Sequence, residues 1–188
     1  MTPTLEIRFV SRNSYKLEEA QKILAPLNVV VSPVQYAIEE LQTIKTQALV
    51  KDKALKAFEY LGEPLFVEHT GLYLDQLNGL PGGLTQIFWD ELKADRFSEL
   101  FGSPGRNKVA AKTVIGYIDG KRFWFFEGDV QGTVASSPRG PGGFQWDCVF
   151  VPDGYSETFA ELGDKKNDIS MRKKALDKFA AHLRGVHI

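Results

Sequence analysis

Leu65–Gly83 reads LFVEHTGLYLDQLNGLPGG, and how its polar interior is read decides the fold. Leu65-Phe66-Val67 and Leu72-Tyr73-Leu74 are short aliphatic and aromatic runs of strand character. Between them stand Glu68-His69-Thr70-Gly71. An acid, an imidazole and a hydroxyl are costly to bury unless each finds a partner, so the spacing predicts strand, polar break, strand. The break is then a turn or a site. Gly79-Leu80-Pro81-Gly82-Gly83 supplies a second rigid turn just downstream.

On the N-terminal side, Leu5, Ile7 and Phe9 alternate with Glu6 and Arg8 at strand period, and Asn13 or Ser14 can cap a helix carrying Leu17, Ala20, Ile23 and Leu24. Val29–Val34 is a second strand. Thr43 can cap a helix with Ile44, Ala48, Leu55 and Phe58 inward, stopped by Gly62. Glu39 and Glu40 at that entrance complement its dipole. On the C-terminal side, Leu84–Phe101 has helical spacing, with aromatics for a core or a dimer face. Asp119-Gly120 joins strands Val109–Ile118 and Arg122–Phe126, and Val130–Ala135 continues the meander. Ser136–Phe144, SSPRGPGGF, is a glycine-rich loop that lets backbone approach a ligand, with no Walker signature. A last helix runs from Asp168 to Leu183. Lys165, Lys166, Arg172, Lys173 and Lys174 crowd its start against the dipole, which suits phosphate or a solvated basic face.

The chain has 188 residues, 43% hydrophobic and 25% charged, enough for one domain with two lobes over 1–188. A net charge of −1 argues against a nucleic-acid partner, and no apolar run reaches the length of a membrane span. Cys148 is the single cysteine, so no intrachain disulfide forms. Met1-Thr2-Pro3-Thr4 lacks the basic and apolar regions of a signal peptide, and a cytoplasmic protein is expected.

Glu39, Glu40, Glu68 and Asp147 could hold Mg²⁺, which takes oxygen ligands and shares its shell with substrate phosphates. Lys16, Lys166 and Arg172 could neutralise polyphosphate, and Phe144 or Trp146 could stack on a base. Phosphoryl transfer needs little beyond positioning, charge neutralisation and an oriented water. These residues point to a metal-dependent nucleotide hydrolase as a class.

Four blocks in order, Ser11–Lys16, Glu68–Gly82, Arg139–Asp147 and Lys166–Arg172, resemble the inosine triphosphate pyrophosphatase family over nearly the whole length. The resemblance implies an α/β fold, an elongated mixed sheet with flanking helices, two lobes around a nucleotide cleft, and a homodimer. It implies Mg²⁺-dependent hydrolysis of ITP, dITP or XTP at the α-phosphorus, giving the monophosphate and pyrophosphate. Ser11, Asn13, Lys16, Thr70 and Gly71 would meet the substrate, and Glu40, Glu68 and His69 the metal. Phe144, Trp146 and Asp147 would wall the base, with Lys166, Ser170 and Arg172 contacting phosphate or base. The resemblance gives catalytic roles to Glu68, His69 and Lys16.

The chain departs from that pattern at five places. His69 stands for an aspartate, Met171 for a histidine, Gln145 for a glycine, and Gln86 where a basic residue is common. Cys148 similarly replaces a proline. Histidine can serve as a base near its ordinary pKa of about 6.5, with turnover falling as pH drops through that value. Met171 removes a hydrogen-bond partner for the base, and weaker preference for ITP over ATP or GTP is expected. A nucleotide binder that has lost hydrolysis is the alternative, as is a pyrophosphatase of altered base preference.

Overall fold

A computed structural model describes residues 4–141 and 144–185. Met1-Thr2-Pro3, residues 186–188, and Gly142 and Gly143 of the glycine-rich loop lie outside them.

The strands are β1 (Leu5–Val10), β2 (Val29–Val34), β3 (Leu65–Leu74), β4 (Lys108–Ile118), β5 (Phe123–Val134) and β6 (Phe150–Pro152). They form one sheet in the order β2-β1-β3-β4-β5-β6. β1 runs parallel to both neighbours, while β3 to β6 are antiparallel, so the sheet is mixed. The helices are α1 (Ser14–Leu24), α2 (Thr46–Leu61), α3 (Thr85–Phe101), α4 (Phe159–Leu162), α5 (Lys166–Ile169) and α6 (Met171–Leu183). No helix among the described residues is long and apolar enough to cross a membrane.

β3 is one strand of 10 residues, not two runs around a turn. It pairs with β4 without interruption from Leu65↔Ile118 to Leu74↔Val109, so the backbone of the polar tetrad is satisfied by the ladder. Gly71 fits a strand interior for a packing reason. A Cβ there would lie 2.4 Å from the carbonyl oxygen of Gly82, so only glycine lets the Pro81–Gly82 turn close onto the strand.

Alternation along β3 distributes its side chains to different layers. Phe66 packs with Ala20, Leu24, Leu176 and Phe179 of α1 and α6. Leu65 and Val67 pack with Leu49, Val50, Ala54 and Ala57 of α2. Leu72 and Leu74 join a third cluster with Phe97, Trp146, Phe150, Phe159 and Met171. Between these apolar ends Glu68, His69 and Thr70 are all buried.

Other boundaries shift for local reasons. α2 starts at Thr46, after Lys45, so Thr43 is not its cap. Thr43 Oγ1 instead accepts from the Lys45 amide at 3.2 Å, and Ile44 O accepts from Gly83 N at 3.4 Å. That ties residues 43–44 to the Pro81–Gly83 turn and leaves Glu39 and Glu40 in a loop. Val130–Val134 belongs to β5 and forms no separate strand. α3 is broken at Lys93, whose φ of 55° and ψ of 177° are not helical. The expected Asp168–Leu183 helix divides at Ser170, which is extended (φ −67°, ψ 158°) and caps α6 by accepting from Lys173 N at 3.1 Å.

Candidate active site

The C-terminal end of β1 leads through Ser11-Arg12-Asn13 into α1. Asn13 Oδ1 accepts from the Lys16 amide at 3.1 Å, and Ser11 Oγ accepts from the Asn13 amide at 3.2 Å. This capping fixes the first turn of α1 and directs Lys16 over β3, where its ammonium lies 3.1 Å from Glu68 Oε1. Glu68 also receives Arg172 from α6, Nε to Oε2 at 2.8 Å and Nη2 to Oε1 at 3.0 Å. Arg172 is fully buried, and its Nη1 donates to Glu19 of α1. Burial works to raise the Glu68 carboxyl, but the guanidinium of Arg172 and the ammonium of Lys16 overcome it and hold the group well below the usual range. Burial works to lower Arg172, and Glu68 and Glu19 overcome it, keeping the guanidinium charged. Burial dominates at Lys16 and lowers it against the pull of Glu68.

His69 points to the other side of the strand. Its Nδ1 is 4.0 Å from Glu40 Oε2, and Glu40 Oε1 holds the ammonium of Lys53 on α2 at 2.5 Å. Burial, reinforced by Lys16, lowers His69 to about 4 despite Glu40, so the imidazole is neutral at pH 7. Its Nε2 is buried without a hydrogen-bond partner among the described residues. These groups line a cavity of about 290 Å³ with Ser11, Arg12, Asn13, Thr70, Gln86 and Gln145.

A second cavity, of about 340 Å³, contains Tyr15, Glu19, Phe144, Asp147, Phe159 and Lys166 among its walls. Lys166 Nζ contacts Asp147 Oδ2 at 2.6 Å and Glu19 Oε1 at 2.7 Å, and sits 5.1 Å from the Phe144 ring centroid. Burial raises the Asp147 carboxyl, with Lys166 opposing. Asp147 Oδ1 is buried and has no hydrogen-bond partner among the described residues. The cavities adjoin in sequence twice: Tyr15 lines one and Lys16 the other, and Phe144 one and Gln145 the other.

Ser11, Asn13, Lys16, Glu40, His69 and Thr70 therefore meet at one cavity, and Phe144, Asp147 and Lys166 at its neighbour. Glu68 and Arg172 form the buried support between helices and strand. Trp146 is fully buried in the apolar cluster with Met171, beneath the cavities rather than on their walls. Ser170 is spent as the α6 cap and Gly71 on close packing. Three members of the basic crowd near α6 meet acids, Arg172 and Lys166 at Glu19, Glu68 and Asp147, and Lys173 at Asp177 at 2.5 Å, while Lys174 donates to the Asp129 carbonyl.

The donors bear on the expected Mg²⁺ unequally. No group of three or more His, Cys, Asp or Glu residues among the described residues is arranged to hold a metal ion. Both oxygens of Glu68 are occupied by Arg172 and Lys16. Glu40 remains as a carboxylate at the cavity, with His69 Nδ1 beside its Oε2. One carboxylate fits a divalent cation that takes its other ligands from water and substrate phosphates.

The Ham1 family model matches residues 7–182. The chain belongs to the Ham1 family. It is 35% identical over 178 residues to a dITP/XTP pyrophosphatase of Methanopyrus kandleri, covering 94% of this chain and 95% of that one. It is 36% identical over 183 residues to an inosine triphosphate pyrophosphatase of Yarrowia lipolytica, with 95% and 96% covered. The fold is similar to that of the Staphylococcus aureus Ham1 protein, with a TM-score of 0.78 at 23% identity over 97% of this chain and 100% of that one.

Two residues of this Ham1 family member escaped the sequence reading. Glu19 joins Arg172 to Lys166, and Lys53 holds Glu40. Glu19 sits three residues after Lys16 on one helix, a spacing that places both on a shared face. Nothing local distinguishes Lys53 from the other lysines of α2.

Proposed function

We propose that this chain hydrolyses deaminated purine nucleoside triphosphates, dITP, XTP and ITP, to the monophosphate and pyrophosphate. The observation that carries the reading is the pair of adjoining cavities, one set with Lys16, Lys53, Glu40 and His69, the other with Phe144, Asp147 and Lys166. Polyphosphate suits the first and a base the second. Water attacks the α-phosphorus, the new O–P bond forms, and the bond to the bridging oxygen breaks as pyrophosphate leaves. Mg²⁺ is the cation we assign, with Glu40 as its protein carboxylate, and it would neutralise charge on the phosphates. Lys16 faces the same phosphates. His69, neutral and at the cavity, orients the water and takes its proton.

Base choice rests on Lys166 and Asp147 rather than on Arg172, all of whose donor nitrogens are engaged by Glu68 and Glu19. A lysine donor suits a 6-keto oxygen, which adenine lacks. Met171 packs in the core, so it acts on the base only through its neighbours. Two lobes around the cleft, a cytoplasmic location and a homodimer complete the proposal, the last tested by a solution mass of twice 21.0 kDa.

The weak basicity of His69 favours a second reading, a nucleotide binder without turnover. Pyrophosphate release from ITP, XTP, dITP, GTP and ATP with a divalent cation separates the two. Turnover of keto purines supports hydrolysis; binding with no release from any nucleotide overturns it. His69 is already lowered to about 4 without a cation, and a cation on Glu40 would lower it further, so the acid limb of the rate profile is expected well below 6.5. Identical profiles for the wild type and His69→Asp would remove His69 from the chemistry.

A further inference from the structure

Gln86, near the start of α3, and Gln145, first residue of the short 3-10 turn Gln145–Cys148, come from distant parts of the chain and meet at the phosphate-side cavity. Their amides are held in one direction. A carboxylate only accepts, and both oxygens of Asp90 accept from Gln86 Nε2, at 2.9 and 2.8 Å. This pairing favours the Gln86 amide with Nε2 on Asp90 and Oε1 toward Gln145. Gln145 Nε2 donates to that oxygen. One N–H of Gln145 is thus engaged, the second makes no hydrogen bond among the described residues, and the residue lines the cavity.

We propose that Gln145 is a polyphosphate-binding residue whose amide is oriented by a relay through Gln86 to Asp90. The proposal rests on the pyrophosphatase reading and adds a wall of the phosphate site to it. The cavity's lysines are each committed to a carboxylate, Lys16 to Glu68 and Lys53 to Glu40, so a directed neutral N–H complements them. Gln145 also follows Phe144 of the base-side cavity, as Lys16 follows Tyr15. A nucleotide spanning both cavities would pass between these two dipeptides, and Gln145 would face the phosphate-side part of it.

The backbone supports the same assignment. Gln145 has φ +37°, left-handed territory that glycine enters freely and that strains a residue with a side chain. A strained glutamine facing a cavity is the kind of outlier that function maintains.

The test uses the full chain and five forms: wild type, Gln145→Gly, Gln86→Ala, Gln86→Glu, and Gln86→Glu combined with Asp90→Asn. For each, KM and kcat are measured for pyrophosphate release from ITP, Kd for a non-hydrolysable α,β-methylene triphosphate, and the unfolding midpoint. Gln145→Gly is expected to raise KM and Kd by about tenfold, the loss of one hydrogen bond to a charged group, with the midpoint unchanged or higher. Gln86→Ala has the same direction. Gln86→Glu sets two carboxylates face to face and also weakens binding. The double variant restores it, because the amide introduced at position 90 donates to the carboxylate introduced at position 86, whose other oxygen accepts from Gln145. Unchanged Kd in Gln145→Gly overturns the binding role. A double variant no better than Gln86→Glu overturns the relay. If the wild type releases no pyrophosphate, the pyrophosphatase reading fails, and the Kd series alone decides the role of Gln145.

Discussion

Glu68 is the residue on which the site's electrostatics turn. It shares Arg172 with Glu19 and also contacts Lys16; Glu68 and Arg172 are fully buried, Lys16 and Glu19 partly so. Removing one partner of such a network leaves an uncompensated buried charge, which costs about 3–5 kcal/mol. Arg172→Met is expected to lower stability in urea by that order, and Glu68→Gln by less, since a neutral amide keeps hydrogen-bonding capacity. Equal, small losses for the two would show the network to be weakly coupled. His69 gives a pH prediction. Its folded value of about 4 lies below its ordinary 6.5, so the unfolded chain binds more protons between these limits. The stabilisation is complete above pH 6.5 and is lost as pH falls towards 4, on the order of 3 kcal/mol in all. In metal-free protein, His69→Gln should flatten unfolding free energy across that window; an unchanged slope would assign it to other groups.

At the scale of elements, close approaches decide what can be changed. A Cβ on Gly128 of β5 would fall 2.2 Å from the Met171 carbonyl oxygen and 2.7 Å from the Ala175 amide. Gly128→Ala should push α6 off the sheet, at about 1–3 kcal/mol, and carry Arg172 with it. Activity loss exceeding the stability loss is the expected signature in a combined assay. α3 offers the opposite case. Lys93 holds φ 55° and ψ 177°, a region nearly confined to glycine. Lys93→Gly is expected to raise the thermal midpoint by about 3 °C, corresponding to roughly 1 kcal/mol in a chain of this size. The kink lay beyond the sequence reading because Lys93 interrupts apolar spacing that is otherwise helical on both sides.

For the whole molecule, the strands of the sheet were legible wherever apolar alternation met a turn signal, as at Leu5–Val10 and Asp119-Gly120. The polar tetrad of β3 was misread as a break because its compensating charges lie on α1 and α6, far away in sequence. The cavity residues Asn13, Lys16, Glu40 and His69 were legible through their motifs. Trp146, Ser170 and Met171 were not separable from them, since motif membership does not say which side chain faces in. Substrate binding across both cavities should be felt globally. Ligand at one hundred times its Kd adds about 2.7 kcal/mol to stability, so ITP is expected to raise the unfolding midpoint and ATP to raise it less. Equal shifts for the two nucleotides would remove the keto preference.

The distance along the chain between Glu68 and Arg172 is 104 residues, and between Glu19 and Arg172 it is 153. On the ribosome, at about 5–20 residues per second, both carboxylates emerge several seconds before their cation. Until α6 arrives, Glu68 has Lys16 but not Arg172 to offset its dehydration, so burial of the central strand is compensated only in part while its neighbours collapse. Closure of the sheet around Glu68 thus becomes a late step of biosynthesis, and a nascent chain stalled before Arg172 holds its future catalytic floor open to water.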